Sequence, residues 1–279
     1  ISGIILYDET IRQSTSEGIP FPDFLNDQQI APGIKVDTGA VPLAQGSTEK
    51  VTEGLDGLAK RLDEYSTLGA KFTKWRAIID IDDSKDIPSD YAIQVNCSNL
   101  ARYAKIVQDF DMVPIVEPEV IMDGNHSIEK CFEITSKTQK LLFQMLDHHD
   151  VFLKGILLKP NMVISGKQFD QQASVSDVAK KTIECLEENV PNDVPGIVFL
   201  SGGQSNELAT EHLNEMNKLA NNSSWNLSFS YGRALQQPSL NCWRGNKDEI
   251  TSSQNALIKR CRLNSLATTG KYNKDQENL

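Results

Sequence analysis

Residues 155–163 read GILLKPNMV, from Gly155 to Val163. Three apolar residues, Ile156, Leu157 and Leu158, have the composition of a strand buried on both faces; Lys159 follows directly, and Pro160 closes the strand. An ammonium brought to the end of so apolar a run must be paired, must snorkel to solvent along its own stem, or must lose its proton, because uncompensated burial costs several kcal/mol. The fold is read outward from this lysine.

Similar short apolar runs recur along the chain: GIILY (3–7), GIKV (33–36), RAIIDI (76–81), VPIVEPE (113–119), KGILLK (154–159), GIVFLS (196–201) and NLSFSYG (226–232). Longer segments with apolar residues at three- and four-residue steps separate them, at 53–70, 89–110, 127–149, 174–190, 205–220 and 248–268, and Ser89 is placed to cap the second. Strands this apolar, alternating with helices, predict a parallel sheet covered by helices. An open doubly wound sheet and a closed (β/α)8 TIM barrel both satisfy the pattern. The barrel is favoured because Lys35, Lys74 with Arg76, Glu117 with Glu119, Lys159, Ser201 and Arg233 fall near the carboxyl ends of nearly every strand, and only a barrel gathers all those ends at one mouth. Seven strands leave an eight-stranded barrel one short, so the first strand is expected upstream of Ile1. One barrel domain over 1–279 is expected, with 270–279 a flexible C-terminal tail.

The chain has 279 residues, a 39% hydrophobic and 24% charged composition, and a formal net charge of −10. No apolar run approaches the roughly 20 residues needed to span a bilayer, so no membrane association is expected. The acidic balance argues against nucleic acid as a partner and requires any phosphate-binding cations to be concentrated locally. Five scattered cysteines (Cys97, Cys131, Cys185, Cys242 and Cys261) lack metal-type spacing, which predicts reduced thiols, no disulfide and no zinc.

The polar residues suggest carbonyl chemistry. A lysine held near apolar walls and other cations favours its free amine, the form that attacks a carbonyl, although most strand-end lysines are structural. Glu117 and Glu119, two apart on an extended backbone, face the same way; carboxylates sharing a site push their pKa values apart, so that one can serve as the acid that imine chemistry needs. Lys74 and Arg76 share one side of their strand, with Trp75 on the other, and can hold an anion, lower the pKa of Lys159, or pair with the glutamates. Lys35 stands on a short strand with a less defined role. Two strand-to-helix turns, FLSGGQS with Ser201, Gly202 and Gly203, and FSYGRAL with Ser230, Gly232 and Arg233, can each bring bare backbone N–H groups to an anion, though either could be a tight turn and nothing more. Consecutive loops of this kind after the last two barrel strands predict a phosphate anchor. His126, His148 and His149 read as surface residues, and nothing couples His212 to a nucleophile.

Together, GIKVDTG, AKFTKWRAIIDI, NLARYAKIVQDFDMVPIVEPE, GILLKPNMV, FLSGGQS and FSYGRALQ resemble the class I fructose-bisphosphate aldolases, in order and spacing, across nearly the whole chain. The resemblance implies a (β/α)8 barrel, usually a cytoplasmic homotetramer. Its implied reaction is glycolytic: cleavage of the sugar bisphosphate fructose 1,6-bisphosphate to dihydroxyacetone phosphate and glyceraldehyde 3-phosphate (EC 4.1.2.13), without metal or cofactor. By motif, Lys159 resembles the Schiff-base lysine and Glu117 the acid/base, with Glu119 and Lys74 as electrostatic partners. Ser201, Gly202, Gly203, Ser230, Gly232 and Arg233 resemble the cradle for the ketone-side phosphate, and Arg76 and Lys35 resemble contacts nearer the other phosphate. The family also has an initial GKGILAADES-type segment and a longer tail ending in tyrosine, neither of which is found between Ile1 and Leu279; low stability and weak activity are expected of a chain limited to these residues. Two other readings remain open: a Schiff-base barrel aldolase or transaldolase acting on a monophosphate, and a catalytically idle scaffold binding cytoskeletal or other proteins.

Overall fold

The structure is a computed structural model that describes residues 1–220 and 223–278. Strand β1 (Gly3–Leu6) leads through α1 (Asp8–Ile11) and α2 (Phe21–Asp27) to β2 (Ala31–Lys35). An antiparallel hairpin of β3 (Gly39–Pro42) and β4 (Lys50–Glu53) precedes α3 (Leu58–Thr67) and β5 (Phe72–Ile79). Strand and helix then alternate: α4 (Asp90–Gln108), β6 (Val113–Val120), α5 (Ile128–His148), β7 (Leu157–Leu158), α6 (Val175–Asn189), β8 (Gly196–Phe199), α7 (Asn206–Leu219), β9 (Asn226–Phe229), α8 (Arg233–Trp243) and α9 (Ile250–Ala267).

The seven expected strands form one parallel sheet in the order β1-β2-β5-β6-β7-β8-β9. The sheet curls: Ile5 of β1 and Ser228 of β9, on its two edges, line the same interior cavity of about 460 Å³, together with Phe72, Ile115, Leu157 and Val198. Among the described residues no ladder joins β1 to β9. Period-2 alternation divides each strand between this interior and the helical shell. On β5, Phe72 points inward, whereas Trp75 is fully buried outward and packs tilted on Tyr103 of α4, ring centroids 5.4 Å apart. The Phe72 ring lies so close over Gly33 of β2 that a Cβ there would meet it at 2.3 Å, so any larger residue would have to displace the ring.

Serine side chains cap four of the shell helices, Ser89, Ser127, Ser174 and Ser205 each accepting from the backbone N–H three residues on. Each such cap contributes about 1 kcal/mol. The packing faces are those the periodicity indicated: Leu58, Leu62 and Tyr65 of α3 are buried together.

Three expectations need correction. First, β5 begins at Phe72, four residues before the apolar run at 76–81, because Phe72 and Thr73 have side chains suited to a strand and Thr73 is buried in a hydrogen bond with the Tyr103 hydroxyl (2.6 Å). Lys74 and Arg76 thus lie within the strand. Second, His126 is buried rather than on the surface, with burial holding its imidazole below the ordinary histidine range. Third, the segment expected as a flexible tail is folded onto the shell through residue 278; Leu279 lies outside the described residues. The cause is Arg260 of α9, a guanidinium only 3% exposed, which donates to both carboxylate oxygens of Glu277 (2.7 and 2.6 Å) and to Thr210 Oγ1 (2.7 Å). The Tyr272 hydroxyl donates to the same carboxylate (2.9 Å).

All five cysteines are free. Burial holds Cys97, Cys131 and Cys185 inside the fold and pushes their thiols up, to about 12 for Cys97 and Cys185; Cys242 on α8 is exposed. No described helix is long and apolar enough to cross a membrane.

Removing one partner of a buried ion pair strands the other charge. Glu277→Ala is therefore expected to lower unfolding free energy by about 3 kcal/mol, read as a lower urea midpoint, and the double replacement Arg260→Met with Glu277→Leu to recover most of the loss. A single variant with the parent's midpoint would contradict this account of the tail.

Candidate active site

Strand parity and register build the site. Lys35 of β2 aligns with Lys74 of β5, and Arg76 of β5 with Glu117 of β6. On the other side of β6, Leu158 aligns with Val116, and the Lys159 N–H donates to the Val116 carbonyl (2.8 Å). Lys159, just past the two-residue strand β7, therefore comes up beside Glu117. Lys35, Lys74, Arg76, Glu117, Glu119 and Lys159 share an inward-facing parity, forming a charged layer above the apolar floor of Phe72, Ile115 and Leu157.

Glu117 is the hub. Its Oε1 lies 3.1 Å from Lys159 Nζ and its Oε2 lies 3.2 Å from Lys74 Nζ, the latter an ion pair without hydrogen-bond alignment. All three side chains are at least nine-tenths buried. Asp37 completes the layer: it pairs with Lys35 (2.6 Å) and Lys74 (3.8 Å) and accepts from the Arg76 backbone N–H (3.3 Å). Glu119 takes the Nε of Arg76.

These contacts set the proton affinities. Burial would raise the Glu117 carboxyl, but the Lys159 and Lys74 ammonium groups outweigh it and leave Glu117 below its ordinary value. Burial dominates at Glu119 and raises it despite Arg76. The two carboxyls do diverge, with Glu119 the raised member. For Lys159, burial first and the Lys74 charge second hold the amine below 10.5, against the pull of Glu117.

The glycine turns follow the next two strands. Leu200, which donates to the Pro160 carbonyl (3.2 Å), brings Ser201 next to the Lys159 segment, and Gly202 (φ 58°) and Gly203 (φ 86°) turn through the left-handed region before α7. Ser230 donates its N–H to Phe199 (2.9 Å), tying the second turn to the first. Helix α8 starts at Arg233 after Gly232 with no side-chain cap, so its first amides are open to an anion. The Arg233 guanidinium reaches over the first turn, Nη2 lying 3.5 Å from where a Cβ on Gly203 would sit, and it has no acidic partner among the described residues.

Sequence reading missed Asp37, although its step of two from Lys35 gives both one face of the strand. The largest cavity described, about 740 Å³, lies to one side, against Asp80, Asp82, Asp123 and Lys50. Among the described residues no group of three or more His, Cys, Asp or Glu side chains is arranged to hold a metal ion.

With its polar side chains converging at the carboxyl ends of curled parallel strands, the molecule falls in the class of α/β-barrel enzymes. Within that class the chain belongs to the class-I fructose-bisphosphate aldolase family, whose model matches residues 1–279. It is 54% identical over 275 residues to a probable fructose-bisphosphate aldolase class 1 of Xanthomonas campestris pv. campestris, covering 98% of this chain and 81% of the relative. It is 46% identical to the cytoplasmic isozyme of Spinacia oleracea, over 98% of this chain and 75% of that one. Among solved structures, fructose-bisphosphate aldolase from Plasmodium falciparum, crystallised with TRAP and a small-molecule inhibitor, superposes with a TM-score of 0.95 at 46% identity, covering 98% of this chain and 78% of that chain.

The placement of the Lys159 amine can be read without substrate. Reductive methylation followed residue by residue against pH is expected to give Lys159 a midpoint below 10.5, the ordinary lysine value. Glu117→Gln removes the one strong influence that raises it, so the midpoint should fall further. An upward movement would contradict the assigned geometry.

Proposed function

We propose that this chain cleaves fructose 1,6-bisphosphate to dihydroxyacetone phosphate and glyceraldehyde 3-phosphate through a Schiff base on Lys159. The observation that carries the proposal is the single carboxylate of Glu117 held between the Lys159 and Lys74 ammonium groups. A proton passes from Lys159 Nζ to Glu117, and the freed amine adds to the C2 ketone. The protonated Glu117 returns its proton to the departing hydroxyl, which leaves as water and yields the protonated imine. The C3–C4 bond then breaks as its electrons move into the imine to form an enamine. The C4 hydroxyl, giving its proton to the regenerated Glu117 carboxylate, becomes the aldehyde of the first product. Protonation of the enamine and hydrolysis of the imine release the second product and restore the lysine.

Lys74 stays beside Glu117 while these protons move. With Lys35, Arg76 and Lys159 it makes four cations against the carboxylates of Asp37, Glu117 and Glu119, so a dianionic phosphate meets local positive charge in an acidic protein. Ser201, Gly202, Gly203, Ser230, Gly232 and Arg233 hold the ketone-side phosphate. Arg76 takes the other: Glu119 occupies its Nε, and its terminal nitrogens make no hydrogen bond among the described residues. Lys35 lies alongside. Anchoring both ends aligns the scissile bond, and such positioning can supply several kcal/mol of barrier reduction. The relatives' cytosolic names and the family resemblance favour a cytoplasmic homotetramer, for which sedimentation velocity should show four copies.

Borohydride added with substrate is expected to tether a triose phosphate to Lys159; peptide mass spectrometry that finds the label on another lysine would overturn the assignment. Glu117→Gln should lower kcat by roughly 10²–10³. Arg76→Ala should raise KM for the bisphosphate about tenfold or more, with a much smaller effect on fructose 1-phosphate. Little loss in Arg76→Ala with either sugar would favour a monophosphate enzyme instead.

A further inference from the structure

His212, on α7, is 3% exposed and takes no part in the chemistry above. Its Nδ1 lies 2.6 Å from Gln204 Oε1, and its Nε2 has no partner among the described residues. The Gln204 amide nitrogen donates to the Ser201 carbonyl (2.9 Å) and lies 3.5 Å from Met162 Sδ, three residues beyond Lys159. The Gln204 backbone N–H donates to the same carbonyl (3.0 Å). One oxygen at the start of the glycine turn therefore accepts twice from one residue.

The hydrogen-bond roles are fixed by chemistry. The Ser201 carbonyl can only accept, so Gln204 must present its NH2 there and its carbonyl to the imidazole; His212 must then carry a proton on Nδ1, and its buried, partnerless Nε2 favours the neutral ring. Burial agrees, holding the imidazole down at about 4. The Ser201 carbonyl and the Gly202 N–H belong to one planar trans peptide and point in opposite directions. Pinning the oxygen into the fold aims that N–H outward at the mouth, where glycines alone would leave the plane free to rotate.

We propose that His212, acting through Gln204, is a positioning residue that locks the Ser201–Gly202 peptide with its N–H toward the substrate phosphate. The proposal rests on the reading that this turn holds a phosphate. The relay contributes to ground-state capture of the phosphate and leaves the lysine chemistry alone. A donor at the Nδ1 position is the requirement, and an asparagine amide can supply one.

The test compares His212→Leu, His212→Asn, Gln204→Met and Arg233→Ala by steady-state kinetics with fructose 1,6-bisphosphate and by titration with inorganic phosphate, which needs no turnover. Loss of one oriented hydrogen bond predicts that His212→Leu and Gln204→Met each raise KM and weaken phosphate binding about tenfold, with kcat within about twofold. His212→Asn should restore both constants. Long-range 15N NMR of the parent should show Nδ1 protonated and Nε2 bare. Should His212→Leu fail to fold, Gln204→Met and the tautomer still decide. Unchanged phosphate binding in His212→Leu or Gln204→Met, no restoration by asparagine, or a protonated Nε2 would each overturn the relay. If Arg233→Ala weakens phosphate binding while the relay variants do not, only the relay fails; if Arg233→Ala also changes nothing, the phosphate assignment fails and the relay with it.

Discussion

Everything at the mouth of this barrel depends on one carboxylate serving two ammonium groups. Glu117 is shared between Lys159 and Lys74, one carboxylate oxygen in ion-pair contact with each ammonium. The result is a buried pair, Glu117 and Lys159, each of which holds its proton less tightly than in water. Desolvation weakens the charge on Lys159, and the second cation weakens it again. A buried ion-pair cluster of this kind is a weak contributor to stability compared with apolar residues of the same volume.

The fold holds that cluster through backbone register more than through side-chain choice. β6 is flanked by β5 and by the short β7, and the hydrogen bond from Lys159 to Val116 extends the pairing one residue beyond β7. A slip of one residue would turn the lysine out toward the helices. Below, the Phe72 ring sits in the hollow over Gly33 and, with Ile115 and Leu157, lines the 460 Å³ cavity beneath the charged layer. Above, the turns after β8 and β9 expose backbone donors because a glycine pair bends one and an uncapped helix begins at the other.

Most of this architecture was legible in the sequence, for a physical reason. A strand buried on both faces must be apolar along its length, so the polar residues that interrupt or end it stand out: Lys159, Glu117, Glu119, Ser201 and Arg233 were all visible in that way. Asp37 escaped notice because β2 was read as a short run ending at Val36, although its spacing from Lys35 carried the information. Which of the two glutamates is held ionised could not be read, because it depends on which lysine ends up within 3.1 Å across a strand boundary. The β3–β4 hairpin was missed because its four-residue strands are half-exposed and mixed in polarity. The end of the chain looked disposable because its composition is polar; only the three-dimensional arrangement reveals a guanidinium on α9 that needs Glu277. His126 belongs with these, since its burial follows from loops that pack beside the 740 Å³ cavity and from no periodicity.

The distribution of thiols has a practical side. Cys97, Cys131 and Cys185 are enclosed, and burial raises their thiols, whereas Cys242 stands exposed on α8, the helix whose first residue is Arg233. A maleimide fluorophore would thus attach preferentially at the far end of the helix that begins at the second glycine turn. The molecule carries its own reporter handle, through which arrival of ligand could be followed optically without introducing a new residue.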